Sequence, residues 1–388
     1  LGCVRLVWSI FLSILTLPDT LPVQTQPALE VRKYWNLLAA LRHRKRKDKT
    51  VTSNPIELTI DVTTRCQLRC PGCATGRGEV RVMHNMKQEF HDRLISDLGP
   101  DCFIISYFSN CEPLLNPKLF AMTRKAREKG CFPIISTNLS LQLSDARLDD
   151  ILNSGIGVVQ CSIDGTTAET YGRYRVGGNF DLAFGNMKRL AARKRILGLT
   201  YPLIEWRMLV FQHNQHQIEA ARNAAHDIGV DILEFFEGAA PDVAPDAAIR
   251  RAEIDIPQPV APVLGKLARE RPRRLLRELV ADMHNDQHFP ELGNVAHGAK
   301  CDWLYLSSMI FPDGAVLPCC VVHERVYDFG VITGQACFSD VFSNAAYEQA
   351  RGLFDDGTRA ASQGIICAQC PFPPAQDYQF RNALRACL

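Results

Sequence analysis

The sequence has almost no net charge and no long hydrophobic run near its start. Its 44 Lys and Arg residues are nearly balanced by 42 Asp and Glu residues, which gives a formal charge of +2 over 388 residues. So small a charge gives no electrostatic basis for binding nucleic acid or an anionic membrane surface. The apolar stretch from Leu6 to Leu17 is too short to span a bilayer, which takes about 20 residues. We therefore expect neither nucleic acid nor a membrane as a partner.

Cysteine, by contrast, is abundant, with 15 residues in the chain. The count is odd and the chain is long, so the cysteines favour metal ligation in a reducing compartment over a disulfide framework. We therefore expect a cytoplasmic protein. The apolar content of 46% is enough for one large core and a smaller domain.

Residues 1–54 are expected to form an N-terminal extension. Because the first residue is Leu, we interpret the apolar start as sequence lying upstream of the true start. Apolar residues at helical spacing predict a helix over residues 28–48. This helix ends in the basic segment Arg42–Lys47, which we interpret as a solvated tail.

Three cysteines with the spacing C-x3-C-x2-C lie in a short loop, Arg65–Cys73. The loop directly follows the alternating run Ile56–Val62, which predicts a strand. A loop at a strand end can aim Cys66, Cys70 and Cys73 at one point. A structural zinc or a closed iron–sulfur cubane takes four protein ligands, so three thiolates leave one metal position open. The alternative is a degenerate zinc knuckle, which explains no motif further along the chain.

This loop resembles that of the radical S-adenosylmethionine (SAM) superfamily. The resemblance implies that Cys66, Cys70 and Cys73 hold a [4Fe–4S] cluster whose open iron binds SAM. It also implies the opening chemistry that the family shares, in which one electron from the reduced cluster cleaves SAM to methionine and a 5′-deoxyadenosyl radical. That radical then takes a hydrogen atom from an unactivated carbon of the substrate.

Strand and helix patterns alternate from Ile56 to about Phe236, within a predicted core of residues 55–237. Such a repeat indicates the α/β class, with a parallel sheet and helices outside it. Six units are fewer than the eight of a closed TIM barrel, and they match the open partial (β/α)6 barrel that the family uses. The predicted strands are Ile56–Val62, Cys102–Tyr107, Phe132–Thr137, Val158–Ile163, Leu203–Val210 and Ile232–Phe236. The predicted helices are Met86–Leu98, Pro117–Lys129, Ser144–Asn153, Asp181–Ile196 and Gln215–Ile228.

Polar motifs follow several of these strands, at the edge of the sheet where function belongs in such folds. The resemblance assigns five residues to SAM: Glu112 matches the family's G-G-E-P motif, Asn138 its S-T-N-G turn, and Ser162, Asp164 and Arg175 its segment after the fourth strand. Glu112 is expected to hold the SAM amino group, and Arg175 to pair with the SAM carboxylate through its guanidinium. Each residue alone is an ordinary polar turn residue, so the assignment depends on their joint position at successive strand ends.

The motifs also depart from the family pattern at the glycines. Asn110 and Cys111 replace the two glycines of the first motif, and Leu139 replaces the glycine of the second. A side chain at these positions can block the close backbone approach that glycine permits.

Two further expectations concern the inside of the barrel. Gly72 stands where many relatives have an aromatic residue near adenine, so we expect adenine contacts from Leu209 or Phe211. Arg207 on the fifth strand is a candidate site residue, and an arginine buried inside the barrel would need an anionic partner.

Residues 238–300 are expected to form a surface linker, rich at first in Ala, Pro and Asp, with a basic helix near 263–283. A second cysteine system follows over residues 301–388. Cys301 and Cys319 bracket a predicted hairpin turn, and Cys367 and Cys370 form a C-x2-C pair. Four thiolates can complete a cluster with no open position, whereas a zinc ribbon is the alternative.

These spacings resemble the SPASM domains, and more closely their half-size twitch form, a small α+β domain. The resemblance implies one auxiliary [4Fe–4S] cluster on Cys301, Cys319, Cys367 and Cys370. Cys320, next to a cluster ligand, is a candidate hydrogen donor to a substrate radical.

Two outcomes for a substrate radical stay open at this stage. If it loses a proton and passes an electron to the auxiliary cluster, the reaction is an oxidation; if a thiol returns hydrogen, it is an epimerisation. We expect a small polar substrate such as a sugar, aminocyclitol or glycoside, with a flavodoxin- or ferredoxin-type reductant. The alternatives are a peptide- or protein-modifying maturase and, in a different class, a non-catalytic iron–sulfur electron-transfer protein.

Overall fold

The computed structural model describes residues 27–81, 84–238, 249–256, 301–320, 322–333, 337–353 and 365–369. The apolar start, most of the linker with its predicted helix, and Cys370 lie outside these described residues. None of the helices in the described part of the chain has the length and apolar character needed to cross a bilayer.

Nine strands form one sheet in the order β6-β5-β4-β3-β2-β1-β7-β8-β9. Strands β1 to β7 run parallel, and β7, β8 and β9 pair antiparallel. The strands are β1 Glu57–Ile60, β2 Ile104–Ser106, β3 Phe132–Thr137, β4 Val158–Ser162, β5 Leu203–Val210, β6 Ile232–Glu237, β7 Ser307–Ile310, β8 Ala315–Leu317 and β9 Gly330–Val331. The predicted fold class, a partial α/β barrel followed by a small C-terminal unit, is confirmed.

Helices join the parallel strands and cover one face of the sheet. The core helices are α2 Gln88–Leu98, α3 Leu119–Glu128, α4 Asp145–Leu152, α5 Ala168–Tyr174, α6 Phe180–Ile196 and α7 Ile218–Ile228. The others are α1 Pro27–Arg46 at the start and α8 Trp303–Leu306, α9 Phe338–Phe342 and α10 Ala345–Gly352 at the end. Short α5 was not predicted, and the predicted helix at Gln215 begins as a 3₁₀ turn before α7.

Alternation along the strands decides which residues meet the helices. Leu58 and Ile60 of β1, like Ile204 and Trp206 of β5, pack with helix residues in one large buried cluster. Because successive side chains of a strand point to opposite faces, their neighbours face the inside of the partial barrel. Near the amino ends of β2 to β5, a small apolar cluster of Ile104, Ile134, Val158 and Leu203 closes this inner face.

The C-terminal unit continues the same sheet. Strand β7 pairs in parallel with β1, with Glu57 opposite Ser307 and Ile60 opposite Ile310. The predicted hairpin follows at once, since β7 and β8 are antiparallel and Gly314 adopts φ 86° in the turn between them. Glycine takes this left-handed conformation without the steric cost of a side chain. Strand β1 thus lies between the core and the C-terminal unit.

Helix α1 fastens the start of the described chain to both parts. Arg32 donates to both carboxylate oxygens of Asp101 at 2.6 and 2.8 Å, and Arg44 pairs with Asp302. The guanidinium of Arg351 on α10 donates to the backbone carbonyl of Lys49 at 3.1 Å. These contacts join α1 and the residues after it to Asp101 in the core and to α8 and α10 in the C-terminal unit.

Candidate functional site: two cysteine systems

The three-cysteine loop leaves the end of β1 and folds into a small enclosed cluster. Cys70 is buried there with Leu68, Tyr174, Phe211 and Ile249, and the partly buried Cys66, Cys73 and Leu209 pack against them. The loop is fixed by its backbone: the Arg69 amide donates to the Val176 carbonyl at 2.8 Å. A Cβ at Gly76 would lie 2.3 Å from the Cys70 carbonyl oxygen, so this close approach requires glycine.

The thiols in this loop lie close enough to affect one another electrostatically. Burial raises the pKa of the Cys66 thiol to about 12, with smaller contributions from Glu112, Cys70 and Cys73. Burial also raises the pKa of the Cys70 thiol to about 11, opposed by the positive charge of Arg175. A bound cation reverses this effect, because a metal ion stabilises the thiolate form of its ligands.

Three thiols in one apolar enclosure fit the donor set of a cluster with one open iron. Within the described ranges, no group of three or more His, Cys, Asp or Glu side chains has the spacing needed to hold a metal ion. Cys66, Cys70 and Cys73 are neighbours in one apolar enclosure. The donor chemistry and the enclosure both suit an iron–sulfur cluster.

Glu112 lies at the centre of a hydrogen-bonded junction between two strand ends. Its buried carboxylate accepts from the Thr137 hydroxyl at 2.8 Å, the Asn138 amide at 2.8 Å and the Leu114 amide at 3.1 Å. Burial raises its pKa to about 7, although these hydrogen bonds oppose that rise. Glu112 thus fixes the turn after β2 to the turn after β3.

Asn138 connects this junction to the cysteine loop. Its side-chain oxygen accepts from the Gln67 amide at 2.8 Å, and its side-chain nitrogen lies 3.8 Å from Cys66 Sγ. The next residue, Leu139, adopts φ 53° in place of the family's glycine, so the turn keeps its left-handed backbone with a buried leucine. Asn110 and Cys111 need no positive φ at all. Their positions therefore do not require glycine for backbone conformation.

Asp164 and Arg175 form an ion pair beside Cys70. Arg175 Nε lies 2.5 Å from Asp164 Oδ2, and Asp164 Oδ1 accepts from the Leu209 amide at 2.7 Å. Burial lowers the pKa of Arg175, but the charges of Asp164, Cys70 and Tyr174 and the hydrogen bond to Asp164 together outweigh it, and the net shift is upward. Ser162, the last residue of β4 and two residues before Asp164, contacts the hydroxyl of Ser136 at 3.0 Å. Ser162, Asp164 and Arg175 thus gather at the end of β4, near the cysteine loop.

Arg207 faces the inside of the barrel with anionic partners, as a buried arginine requires. Its Nε lies 2.6 Å from Glu205 Oε1 and its Nη2 lies 3.6 Å from Glu234 Oε2. The guanidinium also lies 4.4 Å from the ring centroid of Phe236, a cation–π distance. Arg207 is thus held in place by β5 and β6 themselves.

The second cysteine system is brought together from distant segments. Burial raises the pKa of the Tyr347 hydroxyl, and among the smaller contributions are the Cys367 and Cys319 thiols. Cys301 and Cys367 pack at the edge of the main core, and Ile366 packs against both that core and the cluster around Cys319. Cys370 lies outside the described residues. The structure therefore brings Cys319 and Cys367 close to one tyrosine, although 48 positions separate them in the chain.

Residues that the sequence analysis did not single out link the two cysteine systems. Cys319 and Cys320 pack against the cluster that contains Ala74 and Val80, immediately after the three-cysteine loop. Arg81 pairs with both oxygens of Asp328 at 2.6 and 2.7 Å, while its guanidinium lies 4.6 Å from the Phe311 ring.

A second link lies nearer the strand ends. The Asn110 side chain contacts His323 Nδ1 at 3.3 Å, and its backbone amide points to both oxygens of buried Asp61 at 3.4 Å. The one pattern in the sequence that indicates a site residue here is Asp61, a carboxylate ending an alternating strand. Asp328, the partner of Arg81, and His323, the second partner of Asn110, are more than 200 residues away in the chain and carry no local pattern.

Comparison with known proteins agrees with this geometry. The Radical SAM superfamily model matches residues 60–205, and that of the SPASM iron–sulfur cluster-binding domain matches residues 301–371. The chain is 24% identical over 269 residues to a PqqA peptide cyclase of Ruegeria pomeroyi, covering 68% of this chain and 67% of that protein. It is 27% identical over 306 residues to the PqqA peptide cyclase of Rhodopseudomonas palustris, covering 77% and 76%.

Solved structures show the same fold. SuiB of Streptococcus suis bound to S-adenosylmethionine aligns with a TM-score of 0.55 at 14% identity, over 90% of this chain and 78% of that one. SuiB bound to its precursor peptide SuiA aligns equally well, over 88% and 76%. The three-cysteine loop, the partial barrel and the C-terminal cysteine unit place this chain in the radical SAM superfamily, with a C-terminal SPASM iron–sulfur domain.

Proposed function

We propose that this protein is a peptide-modifying radical SAM/SPASM enzyme. One observation carries the proposal: the similarity to PqqA peptide cyclases extends over 269 residues, well beyond the 146 residues, from 60 to 205, of the shared radical SAM region. Similarity confined to that region would indicate only the superfamily. The comparisons thus favour the peptide alternative over the small polar substrate that we expected from the sequence.

The cysteines divide into two proposed sets of ligands. Cys66, Cys70 and Cys73 would hold the SAM-binding [4Fe–4S] cluster, and Cys301, Cys319, Cys367 and Cys370 one auxiliary cluster. When bound, a [4Fe–4S] cluster with SAM supplies the one-electron chemistry that removes a hydrogen atom from an unactivated carbon. We keep the division into a core of residues 55–237, a linker of 238–300 and an auxiliary domain of 301–388. A flavodoxin- or ferredoxin-type reductant in the cytoplasm completes the proposal.

The protein's own residues would orient the reactants and exclude water. Glu112 and Asn138 hold two strand-end turns and the cysteine loop in one arrangement, which keeps the SAM position fixed. Asp164 holds Arg175 beside Cys70, where its guanidinium is available to a carboxylate. The apolar enclosure around the loop, with Leu209 and Phe211, limits access of water to that position.

Contact between the two cysteine systems supports an oxidative reaction over an epimerisation. Ala74 and Val80, after the cysteine loop, share one apolar cluster with Cys319 and Cys320, so the auxiliary site lies close enough to the SAM site to accept an electron from the substrate. In a peptide crosslink or ring closure, two hydrogens are lost: one as an atom to the SAM-derived acceptor, the other as a proton with its electron passing to the auxiliary site. Cys320 as a hydrogen donor stays a prediction that belongs to the epimerase alternative.

The test compares substrate classes directly. The anaerobically reconstituted protein, with SAM and dithionite, is incubated separately with a random peptide library and with a panel of sugars and aminocyclitols. The proposal predicts that peptides alone raise 5′-deoxyadenosine above the uncoupled background, with a matching loss of two hydrogens in peptide mass. If only the sugars and aminocyclitols raise 5′-deoxyadenosine, the peptide proposal is wrong. If the protein does not cleave SAM under any of these conditions, the non-catalytic electron-transfer alternative is favoured.

A further inference from the structure

In the described part of the chain, the inner face of the partial barrel carries several carboxylates, including Glu57, Asp61, Asp164, Glu205 and Glu234. Because Leu58 and Ile60 pack against the helices, Glu57 and Asp61 point to the inside of the barrel. By the same alternation Glu205 and Arg207 on β5 face inward. Glu234 on β6 lies in register with Arg207 and is within ion-pair distance of it.

The cation inside the barrel is already engaged. Arg207 lies 2.6 Å from Glu205 and 3.6 Å from Glu234, so one guanidinium faces two carboxylates. Asp61 is satisfied by a different set of groups, the Asn110 amide and the Cys111 thiol. Asp164 is paired with Arg175. Glu57 is the remaining carboxylate, and no Lys or Arg in the described ranges forms an ion pair with it.

Glu57 is buried with half of its hydrogen-bonding capacity unused. Its side chain belongs to a residue only 6% exposed, and Oε1 receives one long hydrogen bond, 3.5 Å from the Ser106 hydroxyl. Oε2 has no hydrogen-bond partner. The neighbouring strand β7 places Ser307, a neutral residue, directly opposite. A buried carboxylate without a partner is costly, and native proteins rarely keep one without a function.

We propose that Glu57 binds the cationic end of a long substrate side chain, an ammonium or guanidinium, that enters the barrel from the carboxyl ends of the strands. Glu57 lies four residues before Asp61, which is roughly 13 Å along an extended strand. An extended lysine or arginine side chain spans about 6 to 7 Å from its Cα, which is roughly half of that depth. The Glu57 carboxylate itself extends toward the carboxyl ends of the strands, because its Oε1 lies 3.5 Å from the hydroxyl of Ser106, which pairs with Thr59. The charged end therefore reaches Glu57 when the substrate backbone lies at the level of Asp61. An aliphatic side chain of the same length would leave Oε2 unpaired, so this position selects for charge.

The inference rests on the proposed function in one respect, namely that the side chain belongs to a peptide. It specifies the peptide further, because the residue that enters the barrel is lysine or arginine. The carboxylate site itself depends only on the contacts of Glu57.

Small probes test the site without a turnover assay. Binding of Nα-acetyl-lysine amide, Nα-acetyl-arginine amide and uncharged Nα-acetyl-norleucine amide to the reconstituted protein with SAM is measured by anaerobic calorimetry. We expect one cationic probe to bind at least about tenfold more tightly than norleucine amide, as a single desolvated charge contact provides. Glu57→Gln keeps the shape and should bring the probes to within about twofold of each other. The control Glu219→Gln, on the exposed start of α7, should keep the difference.

Each outcome of the probe-binding experiment either supports or overturns the proposed cation site. Equal binding of charged and uncharged probes, or no binding of any, overturns the proposal, and this comparison on the unaltered protein does not depend on any variant folding. A preference that survives Glu57→Gln also overturns it. If the probes show no preference while peptides are still modified, the cation site fails and the peptide function stands. If cadaverine, which has no amide bond, binds as tightly as lysine amide and no peptide is modified, the site stands and the peptide function fails.

Discussion

The two cysteine systems of this protein are built in different ways. Cys66, Cys70 and Cys73 lie within eight consecutive residues of one loop at the end of one strand, and Gly76, Val176 and Asn138 hold that loop in place. Cys301, Cys319 and Cys367 come from three segments that meet only because α8, the β7–β8 hairpin and the turn Ile366–Gln369 pack around Tyr347 and the main core. A site on one loop is specified locally, whereas a site shared by several segments exists only when the whole domain has folded.

The first way to test this contrast is to remove a ligand from the local loop. Cys66→Ala should abolish reductive SAM cleavage, because the remaining thiolates leave the cluster short of a protein ligand. The measurement is 5′-deoxyadenosine formed with dithionite. Exposed Cys337 offers a matched control, since Cys337→Ala should leave the rate unchanged. Retained cleavage in Cys66→Ala would remove the loop from the mechanism.

Removing a ligand from the distributed system should have a narrower effect. Cys319→Ala should leave SAM cleavage intact but stop formation of oxidised product, because the electron from the substrate loses its acceptor. The ratio of product to 5′-deoxyadenosine measures this separation. Product at the normal ratio would show that the second system has no redox role.

The ion pair beside Cys70 tests how firmly the local site is held. Asp164→Asn leaves the Arg175 guanidinium largely buried without its anion and should lower the free energy of unfolding by about 3 kcal/mol. Binding of SAM should weaken as well, because Arg175 loses its fixed orientation. Both quantities are measurable by urea unfolding and by calorimetry.

A surface pair provides the control for that substitution. Arg173 and Glu169 form an exposed pair four residues apart on α5. Glu169→Gln should cost less than about 0.5 kcal/mol, because solvent screens such pairs. Similar losses in the two variants would contradict a special role for the Asp164–Arg175 pair.

The smallest expected effect concerns β1, where the core and the C-terminal unit meet. Burial raises the pKa of Glu57 to about 7, although the hydrogen bond from Ser106 opposes this rise. Ser307, opposite Glu57 on β7, is neutral, whereas the nearby Cys102 thiol is titratable. Between about pH 4.5 and 7, Glu57 keeps its proton in the folded protein but has released it in the unfolded chain. The free energy of unfolding of the wild type therefore falls as pH rises through that window.

Glu57→Gln removes this titration. Relative to the wild type, the variant should gain between about 1 and 3 kcal/mol of stability as pH rises from 4.5 to 7, with no further gain above that range. Urea unfolding at several pH values measures the difference. A constant difference across this range would mean that Glu57 has an ordinary pKa.

The elements that sequence predicts well are those with a local cause. Strands β3 and β5 begin and end at the predicted residues, because alternating apolar residues are bounded by polar turns there. The three-cysteine loop and the gathering of Ser162, Asp164 and Arg175 at the end of β4 follow from strand topology in the same way. Leu139 shows the limit of motif matching, since the turn keeps a left-handed residue although its glycine is absent.

Contacts between distant segments could not be predicted. Nothing in the sequence near Ser307 indicates that β7 pairs with β1, and nothing near His323 indicates its contact with Asn110, 213 residues away. The expected small polar substrate is a similar case. Residues that bind a substrate inside a barrel come from strands far apart in the chain, so their common chemistry appears only when the sheet is assembled.

We propose that one chain carries two iron–sulfur sites, of which only the local one has an open position for SAM. The most direct test is to measure iron and sulfide per chain after anaerobic reconstitution, with an EPR spectrum of the reduced protein before and after addition of SAM. We expect about eight irons per chain and one signal that shifts with SAM while another does not. About four irons would contradict it, because the C-terminal cysteines would then hold no iron–sulfur cluster.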